Sequence, residues 1–209
     1  MAKVEITGDS DGLWWLGRAS ILLRLQGQYL LTDPVFSHRA SPVRFAGPQR
    51  RTPLALAIED VPQLDAILIS HNHYDHLDTW TLRALLRRFP DVQFFVPLGL
   101  GVLIRRLGAR HVTELDWWQS VTFQGMVYTA VPAQHWSMRT LWDRNRSLWC
   151  GWVVESAKGR FWFAGDTGYT PELLTIPQRL GALDVVALPV GAYAPRWFMS
   201  INHMDPQSA

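Results

Sequence analysis

The sequence predicts an α+β fold, with mixed sheets carrying their helices on the outside, and three observations predict it. Short apolar runs, bounded by glycine, proline and polar residues, recur along nearly the whole chain in the manner of strands. The segment 81–89 has helical spacing instead, with Leu82, Leu85, Leu86 and Phe89 on one face. Four of the apolar runs also end in a histidine or aspartate. That is the edge of a layered sheet at which ligands commonly sit.

Taken in order, strands are expected near 13–16 and 20–32, with Gln26-Gly27-Gln28 as the turn. Leu30-Leu31-Thr32 leads into Asp33-Pro34, and an arginine-bearing loop follows. Asp65-Ala66-Ile67-Leu68-Ile69-Ser70 has the composition of a buried strand and runs directly into His71. A helix at 79–89, a strand at 92–96 and a helix over 98–107 come next. Strands are expected near 111–115, 120–123, 126–132, 149–155 and 160–164, then a short helix after Pro171 and a strand at 184–189.

The 209 residues, 48% of them hydrophobic, suffice for one sizeable core, and no low-complexity linker or internal repeat divides them. A single domain over 1–209 is therefore expected. A net charge of +2 is too mild to argue for nucleic acid. Met1-Ala2-Lys3-Val4-Glu5 lacks the apolar region of a signal peptide, and no run approaches the ~20 apolar residues of a membrane span. Cys150, the one cysteine, cannot form an internal disulfide; it reads as a small buried hydrophobe in a reducing, cytoplasmic compartment. Arg39, Arg44, Arg50 and Arg51 cluster in one loop, and Arg144 and Arg146 in another. The arginines of 81–89 read as a solvated face, with attraction to anionic headgroups as the alternative. The 11 tryptophans read mainly as packing, with a membrane interface or an acyl channel as the other use.

The densest chemistry lies in His71-Asn72-His73-Tyr74-Asp75-His76, three histidines and a carboxylate within six residues. Adjacent imidazoles repel once protonated and form poor cores. Neutral imidazole nitrogen and carboxylate oxygen, however, are what zinc-like ions coordinate. His71 and His73 can reach one ion from the same side of an extended segment, and Asp75-His76 points to a second. The alternative is a polar loop that happens to be rich in histidine. Context weighs against that, because three further strand-like runs deliver Asp33, His135 and Asp166 at their ends.

On these residues the chain resembles the metallo-β-lactamase fold superfamily, whose signature is the HxHxDH loop at 71–76. It is similar, more narrowly, to the branch containing N-acylphosphatidylethanolamine-hydrolysing phospholipase D. That likeness rests on Trp15-Leu16-Gly17 with Ala19-Ser20, LTDPVFSHRASPVRFAGPQR at 31–50 and ELDWW at 114–118. It continues through PAQHWSMRT and DRNRSLWCGWV within 132–153, FAGDTGY at 163–169 and LPVGAYAPRWFM at 188–199.

The resemblance implies a four-layer αββα sandwich, with the last strand and helix missing, and a binuclear zinc site. His71, His73 and His135 would hold one ion, Asp75 and His76 the other, and Asp166 would bridge them. Catalysis would rest on Asp166, Asp75 and Asp33, the last as a carboxylate that orients a histidine ligand. Tyr74 and His203 would line the substrate site, while His38 and His111 carry no motif and read as structural. The implied reaction is phosphodiester hydrolysis of N-acylphosphatidylethanolamine-like lipids, with peripheral membrane contact fitting such a substrate. The same ligand set would serve a lactone or another small phosphodiester. A third reading, from a different class, is a metal-binding fragment or scaffold without activity.

Two departures from the family pattern bear on this. Gly17-Arg18-Ala19-Ser20 stands where relatives have Gly-His-Ala-Ser, which touches local packing more than catalysis. The chain also ends at Ala209, before a further histidine that relatives supply as a ligand to the second ion. Asp205-Pro206-Gln207-Ser208 reads as a helix start, aspartate suiting the N-cap and proline the first turn. A cut chain is therefore expected. The sequence leaves the oligomeric state open.

Overall fold

The computed structural model describes residue 6, residues 10–43 and residues 45–209; Arg44, counted in the arginine loop, lies outside the described residues. The chain forms two compact units, Met1–Val96 with Leu100–Glu114, and Pro97–Gly99 with Leu115–Ala209.

The first unit is built on a six-stranded sheet, in the order β1 (Gly12–Gly17), β2 (Ser20–Leu25), β3 (Gln28–Thr32), β4 (Ala66–Leu68), β5 (Gln93–Pro97) and β6 (His111–Leu115). β1, β2 and β3 run antiparallel, whereas β3, β4 and β5 are parallel, so the sheet is mixed. The expected strand at 20–32 is two strands. Its turn is Gln26-Gly27 alone, because Gln28 already pairs with Leu25. Both turn residues have positive φ, 51° and 81°, which suits the twist of a two-residue hairpin.

Helix α1 (Thr79–Arg88) crosses between β4 and β5, and α2 (Gly101–Arg106), shorter than the expected 98–107, between β5 and β6. Asp78 caps α1 by accepting from the Trp80 amide at 3.0 Å. Leu82, Leu85 and Leu86 are buried in one cluster with Ile67, Phe94 and Val96, as the helical spacing requires. Each such side chain contributes roughly 1.5–3 kcal/mol by leaving water. Arg83, Arg87 and Arg88 are exposed, in keeping with the solvated-face reading.

The second unit holds a five-stranded sheet, in the order β11 (Val185–Ala187), β10 (Gly159–Phe163), β9 (Gly151–Ser156), β8 (Met126–Val131) and β7 (Ser120–Phe123). The strands from β7 to β10 form an antiparallel meander, and β11 joins β10 in parallel. Gln124-Gly125 repeats the positive-φ hairpin turn of the first sheet. A 3-10 turn at Pro171–Leu174 leads into α3 (Thr175–Leu180), and α4 (Arg196–Met199) precedes the last residues. Val131, Val153, Trp162, Leu173, Ile176 and Met204 form its core. Cys150 is buried beside this sheet's β9, as its composition suggested. At 205–208 the chain makes the capping turn that the sequence signalled. The Asp205 carboxylate accepts from the amides of Gln207 at 2.8 Å and Ser208 at 3.0 Å.

Candidate metal centre

In the first unit, the parallel register of β3 and β4 sets Thr32 opposite Leu68, so the residues that follow meet beyond the strand ends. Asp33 donates its amide to the Leu68 carbonyl at 2.9 Å and takes a φ of 31°. Ser20 holds this corner, donating its hydroxyl to the Asp33 carbonyl and accepting from the Val35 amide. After Ser70 the chain turns back on itself, with the His76 and Leu77 amides donating to the His73 carbonyl at 3.1 and 2.8 Å. The turn brings the His71 and His76 rings to 4.1 Å between centroids.

The Asp33 carboxylate is fully buried and organises this cluster. One oxygen accepts from the Ser70 amide at 2.7 Å; the other accepts from the Ser70 hydroxyl at 2.5 Å and from His76 Nδ1 at 2.7 Å. A hydroxyl has one proton, so Ser70 Oγ, having given its own to Asp33, accepts from His71 Nδ1 at 2.8 Å. Both imidazoles thereby donate through Nδ1, which fixes the tautomer and the direction of each ring. Burial raises the Asp33 carboxyl above its ordinary value, while the hydrogen bond and charge of His76 and the bonds from Ser70 pull it down.

Asp33, His71 and His76 each bring a potential ligand atom within 4.8 Å of the others. Three donors already hold the Asp33 oxygens, and through them the carboxylate orients the rings. His71 Nε2 lies 2.8 Å from His73 Nδ1, with the two rings edge-on at 4.5 Å. Asp75 is half-exposed, 4.0 Å from His76 Nε2, and Tyr74 is half-buried.

The second unit assembles a matching group. His135 follows β8, Asp166 follows β10, and the two strand ends are tied by a bridge between Gln134 and Gly168. The Gln134 amide donates to Thr167 Oγ1 at 2.8 Å, and the Gly168 amide to the Gln134 carbonyl at 2.9 Å. A side chain at 168 has no room, since a Cβ there would lie 2.3 Å from the Ile201 carbonyl oxygen. That close approach lets the Asn202 carbonyl accept from His135 Nδ1 at 3.1 Å, which fixes the direction of the ring.

His135 Nε2 then lies 3.9 Å from Asp166 Oδ2, and His203 Nδ1 lies 3.7 Å from the same oxygen. These gaps are too long for hydrogen bonds. They are near the roughly 3.3 Å that separates two ligand atoms on one tetrahedral ion. The donor set in each unit thus fits a divalent metal: neutral imidazoles aimed by carboxylate or carbonyl partners, with carboxylate oxygens beside them.

Residues 28–209 match the beta-lactamase superfamily domain. The chain belongs to that family. It is 43% identical over 205 residues to N-acyl-phosphatidylethanolamine-hydrolyzing phospholipase D 1 of Caenorhabditis elegans, covering 93% of this chain and 58% of that protein. It is 36% identical over 204 residues to the mitochondrial N-acyl-phosphatidylethanolamine-hydrolyzing phospholipase D of Saccharomyces cerevisiae, covering 92% of this chain and 42% of that protein. The chain thus spans about half the length of the curated relatives it matches. Among solved structures, CmlA, a diiron beta-hydroxylase from Streptomyces venezuelae, superposes with a TM-score of 0.66 at 26% identity, covering 96% of this chain and 42% of that one. Igni18, a metallo hydrolase from Ignicoccus hospitalis, gives a TM-score of 0.66 at 21% identity over 86% of this chain and 70% of that one, a likeness of fold.

The expected α+β fold of metallo-β-lactamase type therefore holds. Within each unit the structure brings together the site residues expected there: Asp33, His71, His73, Asp75 and His76 in one, His135, Asp166 and His203 in the other. Sequence reasoning missed Ser70, the Asn202 carbonyl and the close approach at Gly168. Ser70 had a signal, since it directly precedes the signature loop; a backbone carbonyl carries none.

Proposed function

We propose that the chain is the metal-binding part of a phosphoric diester hydrolase of phospholipase D type, acting on N-acylphosphatidylethanolamine-like lipids. The carrying observation is the buried Asp33 carboxylate, which holds His76 by its Nδ1 and, through Ser70, His71 by its Nδ1, so that one buried group orients two histidines of the signature loop. The names of the relatives at 43% and 36% identity support the lipid substrate.

In this reading His71, His73 and His135 hold one zinc ion, Asp75 and His76 the other, and Asp166 serves both. Two divalent ions, when bound, supply a nucleophilic hydroxide at neutral pH and stabilise charge growing on the phosphoryl oxygen. The chain's own residues set the stage for that chemistry. Asp33 and Ser70 hold the Nδ1 protons, so each ring keeps one tautomer and one direction. The Asn202 carbonyl does the same for His135. His203, beside Asp166, and Tyr74 contact the substrate in this assignment. Hydrolysis at phosphorus then breaks the bond to the N-acylethanolamine and leaves phosphatidic acid.

Peripheral contact with a lipid surface goes with such a substrate. No helix among the described residues is long and apolar enough to cross a membrane. The buried Cys150 fits a reducing compartment, in keeping with a cytoplasmic location. A second reading keeps the scaffold and changes the metal, which the likeness to a diiron hydroxylase favours.

The test is elemental mass spectrometry of the chain purified without chelator, joined to release of N-acylethanolamine from N-acylphosphatidylethanolamine. Two zinc ions per chain, with release abolished in Asp166→Asn and His73→Ala, support the proposal. Zinc with hydrolysis only of lactones or small phosphodiesters would replace the substrate, and iron would replace the metal. A metal-loaded chain that hydrolyses none of these would leave the scaffold reading.

A further inference from the structure

Arg50 is a buried arginine, 8% exposed, to which the metal-centre reading gives no part. It is presented by a short antiparallel pairing of 38–40 with 48–50. Its own amide donates to the His38 carbonyl at 2.7 Å, and the Ala40 amide donates to the Pro48 carbonyl at 3.0 Å. Nη2 donates to the Val35 carbonyl. Nε and Nη1, which carry three N–H bonds between them, have no hydrogen-bond partner among the described residues. A role confined to holding the Val35 carbonyl does not require those donors to be withdrawn from water.

The nearby charge is positive as well. Burial, and after it the charge of Arg18, press the Arg50 guanidinium below its ordinary value, with Asp78 opposing. Asp78 makes no hydrogen bond to Nε or Nη1; its oxygens accept from the amides of Ser37 and Trp80 and from the Thr81 hydroxyl. Nη1 packs on Gly17, at φ 102°, where a Cβ would stand 3.0 Å from it. Arg50 lines a cavity of about 380 Å³ together with Phe36, His38, Arg51, Pro53 and Leu54. One part of this wall is cationic and another apolar.

We infer that this cavity is an oxyanion site for phosphate or a phosphate ester, held by Arg50 with Arg51 and His38 and flanked by Phe36, Pro53 and Leu54. A guanidinium with unused donors suits the several oxygens of phosphate, and the excess of arginines suits its charge. The apolar wall suits the carbon side of an ester. The site needs no metal, so it stands or falls apart from the reading of the histidine cluster. The same chemistry is offered by free phosphate and by a lipid phosphate headgroup.

The experiment follows arginine Nε–H resonances of the ¹⁵N-labelled chain, metal-loaded and chelator-treated, during titration with inorganic phosphate at constant ionic strength. A saturable shift of one such resonance in both forms, lost in Arg50→Lys, is expected, with phosphate affinity falling about tenfold in that variant. Arg51→Ala, an exposed residue whose loss does not threaten folding, should weaken binding while leaving the Arg50 resonance in place. A second arm uses vesicles of phosphatidylcholine with and without phosphatidate. Vesicles that displace phosphate only when they contain phosphatidate identify a headgroup as the source; phosphate binding that such vesicles leave untouched identifies the free ion. A shift that does not saturate, or phosphate affinity unchanged in both Arg50→Lys and Arg51→Ala, overturns the site.

Discussion

Asp33 Oδ2 and His76 Nδ1 lie 2.7 Å apart although 43 residues separate them in the chain, and neither side chain is more than 4% exposed. The pair joins the end of β3 to the end of the signature loop. The same carboxylate reaches His71 through Ser70, so one buried group aims two rings.

Asp33→Asn places an amide where three donors converge, and its NH₂ cannot accept from His76 Nδ1. Metal affinity, read by competition with a chromophoric chelator, should fall about 10- to 100-fold. Affinity equal to wild type would show that Asp33 does not orient the rings.

Ser70→Ala removes the relay to His71 while leaving Asp33 and His76 in contact. The fold should lose about 1–3 kcal/mol in urea unfolding, because the His71 Nδ1–H is left buried without its acceptor. The double variant Asp33→Asn/Ser70→Ala should cost less than the sum of the singles, since both act through one network. Strict additivity would separate the two residues.

Gly168→Ala drives a methyl into the Ile201 carbonyl, 2.3 Å from the built Cβ position, so backbone must move. The 200–203 segment would shift and His135 would lose the Asn202 carbonyl. Thermal melting should show a destabilisation of about 1–3 kcal/mol, together with reduced metal uptake. A variant that melts as wild type would mean that this contact relaxes freely.

Asp205 gives a pH dependence. Burial works to raise its carboxyl, but the Gln207 and Ser208 amides, Arg196 and the Ser208 hydroxyl outweigh it and hold the group below its ordinary 3.8. A depressed carboxylate stabilises the fold above its unfolded pKa, and that contribution fades as pH falls through the folded value. Wild type should therefore exceed Asp205→Asn in stability near neutrality and converge with it in acid. A stability gap that persists unchanged to low pH would count against the assignment.

The strands and the amphipathic helix were legible because their signals are local. Alternation, a glycine at a turn and leucines three and four apart need no knowledge of the rest of the chain. The HxHxDH loop was legible for the same reason. The turn Gln26-Gly27 was misread by one residue, because register across the hairpin decides whether Gln28 turns or pairs.

The sequence by itself therefore determined which segments become strands and helices, and which side chains carry metal-binding chemistry. Only the tertiary structure decided their partners. The parallel register of β3 on β4 sets Asp33 against Ser70 and His76, and the bridge between Gln134 and Gly168 brings the end of β8 to the loop of Asp166. It also decided that Arg50 is buried while Arg51, its neighbour, stays in water. The physical reason is that burial and hydrogen-bond satisfaction are properties of how distant segments meet, whereas periodicity belongs to the segment alone.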